Sequence, residues 1–129
     1  MRRLERLGFD PPYISPELAG CFERTPERPN SWRYLVCDGI EQVAFMSVDL
    51  GPDFFLYEIY VVRHQRGNGI GTWMLTELDG IAREAQRERI FLRPIPLDGG
   101  DPNRLKTWYQ QNGYTQSKDY PDRLEKLAP

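Results

Sequence analysis

A mixed α/β fold, in which helices pack on one sheet, is predicted here by three observations. Three successive stretches, WRYLVCD, EQVAFMSVDL and FFLYEIYVV, are rich in aromatic and β-branched residues and are separated by the turn signals DG and GPD. Two stretches with helical periodicity follow, one after the glycine run RGNGIG and one opening on DPN. Between and after them lie the short strand-like segments IFLRPIP, YTQS and DRLEKLA. The order β-β-β-α-β-α-β-β fits a sheet that is antiparallel over its first strands and joined by helical crossovers later.

Each element has a local reason. Residues 8–31 carry Pro11, Pro12, Pro16, Pro26 and Pro29, which forbids one long helix. Residues 1–31 are therefore expected to form an irregular proline-rich segment within a single domain spanning 1–129. Within it, SPELAGCFE supports one short helix, with Ser15 as cap and Pro16 at the first helical position. Asp38-Gly39 suits a tight turn between the first two strands. After the glycines, Ile70, Trp73, Met74, Leu78, Ile81, Ala82 and Ala85 recur at steps of three and four, while Glu77, Asp79, Arg83, Glu84 and Arg87 take the other side. Gly80 costs that helix about 1 kcal/mol relative to alanine, which points to close packing there. Residues 90–95 read as a strand whose Pro94 and Pro96 indicate an edge or a splay. Asp101 caps the second helix, Pro102 opens it and Gly113 ends it. The last two segments form a hairpin.

Composition narrows the function. A chain of 129 residues with 40% hydrophobic residues and a mean hydropathy of −0.63 can bury a core. No apolar run approaches the roughly 20 residues of a membrane span. The start, MRRLERLGFDPP, lacks an apolar segment of signal-peptide length, so a cytoplasmic location is expected. A net charge of −2 and a pI near 5.5 argue against nucleic acid as the main partner. Arg2, Arg3 and Arg6 read as a solvated arm, with a local basic patch as the alternative. Cys21 and Cys37 lack metal-type spacing and are expected to be reduced and structural. With His64 the single histidine, no metal site is expected. Aromatic strands such as FFLYEIY supply core or, alternatively, the surface of a homodimer.

The run VVRHQRGNGIGTWM carries the chemistry. Where glycines separate a strand from a helix, the first-turn N–H groups lack intrahelical partners and carry the positive end of the dipole. Such a junction binds anions, phosphate above all, and Arg66 adds a charge-assisted donor. A tight turn with no ligand is the alternative reading. A P-loop needs lysine after the glycines, whereas Gly71-Thr72-Trp73 has none. A dinucleotide fingerprint needs G-x-G-x-x-G after a parallel unit, and position 72 is threonine.

The stretch resembles the acyl-CoA pyrophosphate loop of the GNAT superfamily of N-acyltransferases, written Gln/Arg-x-x-Gly-x-Gly/Ala. Arg66, Gly69 and Gly71 match it, within the fuller run Arg66-Gly67-Asn68-Gly69-Ile70-Gly71. A second family element, Tyr-x-x-x-Gly-Phe/Tyr, matches Tyr109, Gly113 and Tyr114. The resemblance covers roughly residues 32–127. It implies a sheet splayed between its fourth- and fifth-type strands, helices on both faces and, in this chain, a reduced N-terminal region. It implies acetyl-CoA as cosubstrate, its diphosphate on Arg66, Gly67, Asn68, Gly69, Ile70, Gly71 and Thr72, and its pantetheine arm along Val61 and Val62. Asn103 stands near the place of a family asparagine that contacts that arm, but six residues before Tyr109 instead of seven. Tyr109 matches the tyrosine that protonates the departing thiolate, and the motif register favours that role over the alternative, core packing in a stripe with Leu105 and Trp108. Glu58 is the candidate base, or a partnered or solvated strand carboxylate. The implied activity is transfer of an acetyl group to a primary amine on a small molecule or a protein. The alternative is a non-enzymatic acyl-CoA sensor or interaction module of the same fold.

Overall fold

A computed structural model describes residues 1–8, 13–24, 30–96 and 99–129. One mixed sheet organises them. Its strands are β1 (Arg2–Leu7), β2 (Ser31–Asp38), β3 (Glu41–Asp49), β4 (Phe55–Val61), β5 (Arg89–Leu92), β6 (Thr115–Gln116) and β7 (Leu124–Leu127). They lie in the order β1-β2-β3-β4-β5-β7-β6, antiparallel throughout except for the parallel pair β4 and β5. The helices are α1 (Pro16–Arg24), α2 (Ile70–Glu84) and α3 (Pro102–Gln111). Residues 33–37 of β2 and 43–48 of β3 are buried without a break. Successive strand residues point to opposite faces, so unbroken burial means that both faces of the sheet are covered.

The predicted helix faces hold. Ile70, Met74, Leu78, Ile81 and Ala82 of α2 are buried, with Trp73 and Ala85 half-buried beside them. Asp79 departs from its expected polar side: it is buried and takes both short bonds of Lys126 Nζ, at 2.7 and 2.9 Å. Asp101 caps α3 by accepting the Asn103 N–H at 3.0 Å, and Gly113 ends that helix at φ +96°. The hairpin between β2 and β3 turns on Gly39 and Ile40, one residue later than expected, with Gly39 at φ +62°. Cys21 and Cys37 are buried and form no disulfide.

Four expectations need correction. The N-terminal region is not wholly irregular, because Arg2–Leu7 pairs in full register with β2 as an edge strand. Of the prolines in residues 8–31, only Pro16 lies among the described residues, at the start of α1. The three N-terminal arginines are not a solvated arm. Arg3 bonds Glu5 and the Gly39 carbonyl, Arg6 pairs with Glu84 and stacks 3.8 Å over Trp32, and Arg2 reaches the Asn68 carbonyl. The fifth strand ends at Leu92, not at Ile95, since Pro94 and Pro96 have no N–H for a ladder. Gly80 is not closely packed: an added Cβ would meet only the Arg83 guanidinium, at 3.6 Å.

That last point makes Gly80→Ala a stabilising change. Urea denaturation is expected to show a gain of about 1 kcal/mol, whereas a loss would mean that the helix face is tighter than its contacts show.

Candidate active site

Parallel pairing of β4 with β5 covers only Phe55 with Phe91 and Leu56 with Leu92. Beyond that point β4 runs on to Val61 without β5, and a cleft of about 490 Å³ opens between them. Residues 56–61 form one wall and Arg93, Ile95 and Pro96 another, with Leu105, Trp108 and Tyr109 from α3 and the glycine loop completing the lining.

The free edge of β4 has a defined register. Val62 donates its N–H to the Val43 carbonyl at 2.9 Å. Main-chain groups of successive strand residues point to opposite edges, so Tyr60 and Val62 face β3 while Ile59 and Val61 face the cleft. Arg66 meets the Val61 carbonyl there, its Nε donating at 2.9 Å, and its guanidinium lies 5.1 Å from the centre of the Tyr60 ring. Tyr60 in turn donates to Glu17 of α1 at 2.9 Å. The same carboxylate accepts the Arg63 N–H, and these two bonds, the backbone one first, hold its pKa below the ordinary range.

The three alternate glycines serve two needs. Gly67 and Gly69 sit at φ +83° and +79°, and an added Cβ would meet nothing within 4 Å at either. Left-handed backbone calls for glycine at both, with open space left above them. Gly71 is ordinary in backbone but lies under α3: a Cβ there would come 3.1 Å from Trp108 Cζ2. Gly69 is also the N-cap of α2, with no side-chain cap and no acidic residue in the first turn. Among the described residues no acceptor takes the N–H groups of Gly67 through Thr72. The positive end of a 15-residue helix therefore faces the cleft with its donors unclaimed.

Two buried titratable side chains line the same cleft. Glu58 on β4 is only 4% exposed, opposite the buried Ser47 of β3. Tyr109 on α3 is likewise 4% exposed, its ring 4.9 Å from Trp108 and 5.7 Å from Tyr114. Burial pushes its phenol above the ordinary value of 10.0, so the proton stays on through neutral pH. Core packing and access to the cleft coexist in this residue.

Of the residues singled out from sequence, Glu58, Val61, Arg66, Gly67, Gly69, Ile70, Gly71, Thr72 and Tyr109 line this one cleft. Val62, Asn68 and Asn103 do not. Val62 is buried and its N–H belongs to the β3 ladder. Asn68 turns its carbonyl toward β1 and its amide toward Gln65. Asn103 lies in a separate shallow groove with Arg104, Thr107 and Gln111. At about 100° per residue, six positions before Tyr109 places it some 120° around the helix, whereas seven would restore the same face. The splay implied by the resemblance and the pair of prolines pointed to this side of the cleft, but Arg93, Ile95 and Pro96 were not singled out from sequence as its wall.

Residues 30–116 match the acetyltransferase (GNAT) domain family. No curated protein matches the sequence. Among solved structures, a GNAT family acetyltransferase from Elizabethkingia anophelis with acetyl-CoA bound superimposes at TM-score 0.73 and 13% identity, over 98% of this chain and 97% of that one. A mutant of the toxin AtaT bound to the C-terminus of the antitoxin AtaR gives 0.71 at 12% identity, over 99% and 92%. An aminoglycoside 6'-N-acetyltransferase complexed with coenzyme A gives 0.64 at 18% identity, over 79% and 75%. At these identities the likeness is one of fold.

Burial of the two neighbouring tyrosines has a consequence in alkali. Tyr109 and Tyr114 both have phenols raised by burial, so the folded chain keeps protons that an unfolded chain loses near pH 10. Their contribution to stability is complete below that pH and falls above it. The urea midpoint is expected to hold from about pH 7 to 9 and to drop beyond about pH 10, with Tyr114→Phe making the drop shallower. An equally steep drop in that variant would contradict the assignment.

Proposed function

This chain belongs to the GNAT acetyltransferases, and on that premise we propose that it moves an acetyl group from acetyl-CoA to a primary amine by direct attack in a ternary complex. One observation carries the reading. A single cleft joins a set of unclaimed amides at a helix N-terminus to a buried carboxylate and a buried, protonated phenol.

The fit at the anion end rests on space and donors together. Gly67 and Gly69 leave room that a Cβ would fill, and the N–H groups from Gly67 to Thr72 offer a diphosphate both hydrogen bonds and the helix dipole. Ile59 and Val61 present a strand edge to which an extended, amide-bearing arm adds as a further strand. Bound acetyl-CoA supplies the activated acetyl thioester. The Val61 N–H, pointing into the gap, is placed to stabilise negative charge on an acyl oxygen. Glu58 takes the proton of the attacking amine, which at a lysine-like pKa of about 10.4 is charged in neutral water. Tyr109, neutral through that range, gives its proton to the departing sulfur.

The acceptor is a bulky amine, such as one borne by a protein. Among the described residues only α1 intervenes between β1 and β2, and the rim of the cleft carries Tyr57 and Ile95 at 51% and 65% exposure. A wide, partly apolar mouth accommodates a chain better than it encloses a small polyamine.

Calorimetry with acetyl-CoA, combined with release of free thiol against a panel of peptides and small amines, tests the reading. Binding is expected, with thiol released only when an acceptor is present and most rapidly with peptides. Binding without turnover by any acceptor would overturn the transferase reading. Gly69→Glu should abolish that binding through bulk and like charge. Tyr109→Phe should retain affinity within about twofold and lower kcat by about a hundredfold or more; an unchanged kcat would remove the phenol from the mechanism.

A further inference from the structure

The peptide between Asn68 and Gly69 is bounded on its C-terminal side by Gly69, in left-handed backbone at φ +79°. Glycine accepts either sign of φ, so sterics alone do not fix which way this peptide plane faces. A contact on its carbonyl comes from the far edge of the sheet. Arg2, the first residue of β1, donates from Nη2 to the Asn68 carbonyl at 2.9 Å, and its guanidinium lies 6.0 Å from the centre of the Trp73 ring on α2.

In a trans peptide the C=O and the following N–H point in opposite directions. A carbonyl drawn toward β1 therefore turns the Gly69 N–H away from β1. The lining of the cleft agrees, since Gly69 belongs to it and Asn68 does not. We propose that Arg2 is a positioning residue for the anion loop, holding the Asn68–Gly69 peptide so that the Gly69 N–H meets the diphosphate. This rests on the reading of the loop given above. Arg6, four residues along the same strand, supplies the comparison. It ties β1 to the far end of α2 through Glu84 and touches no part of the loop.

The test measures the Kd for acetyl-CoA and the melting temperature of wild type, Arg2→Ala and Arg6→Ala. Loss of a charge-assisted bond that orients a ligand donor is expected to weaken binding about tenfold in Arg2→Ala. In turnover the loss should fall on KM for acetyl-CoA and not on kcat. Arg6→Ala should lower the melting temperature while leaving Kd within about twofold. An Arg2→Ala protein that binds as tightly as wild type overturns the proposal. So does weakening in both variants in proportion to their lost stability, which would make β1 merely structural. If wild type itself binds no acetyl-CoA, the reading of the loop fails first, and the proposal with it. Should Arg2→Ala not fold, Arg2→Met keeps the aliphatic stem against Trp73 without the donor and is read in the same way.

Discussion

Two residues of parallel pairing, and no more, join β4 to β5, and the rest of the site depends on where that pairing stops. A strand that leaves its neighbour inside a protein exposes main-chain donors and acceptors, and each one left without a partner costs about 1–3 kcal/mol. Here the cost is partly offset within the chain. Arg66 donates to the Val61 carbonyl, and Phe91 still reaches the Phe54 carbonyl at 2.9 Å before the strands diverge. What is left is a short stretch of β4 edge able to accept another extended chain. The prolines at 94 and 96 keep the far side from closing by denying that segment ladder donors.

The glycine loop is assembled from distant parts of the sequence around that gap. Backbone conformation calls for Gly67 and Gly69, while a Cβ at Gly71 would crowd Trp108, which packs α3 across the first turn of α2. This contact couples the glycine-loop end of the cleft to the helix that carries Tyr109, so the two are not independent modules. From the other direction, β1 and α1 hold the same region through Arg2 on Asn68 and Glu17 on Tyr60 and Arg63. A short N-terminal region thus has a positioning part, even though it contributes only one helix among the described residues.

Much of this was legible in the sequence, for reasons that also explain the failures. The central strands announced themselves through aromatic and β-branched residues, and the helices through period and caps. β1 did not, because RRLERL is an edge strand: four of its six residues are charged and none is β-branched, as suits a strand with one free edge. Its arginines read as solvent-facing because their partners, Glu84, Gly39 and Asn68, lie 36 to 78 residues away. Most of the residues singled out from the motifs line the one cleft, and strand and helix geometry decided which do not. Alternation along β4 separates Val61 from Val62, and the angular step of α3 carries Asn103 off the face of Tyr109. Neither distinction can be made before strand register and helix phase are known. Asp79 shows the opposite case, a charge on a predicted polar side that is buried because Lys126 of β7 meets it.

The central claim is that the amides from Gly67 to Thr72 receive the diphosphate of acetyl-CoA. Amide proton–nitrogen NMR spectra recorded through a titration with acetyl-CoA test it most directly. The account predicts that the resonances of these residues shift together and saturate with one affinity, along with those of Ile59 and Val61 on the free edge of β4. Saturable shifts confined to other parts of the molecule, or none at all, would contradict it.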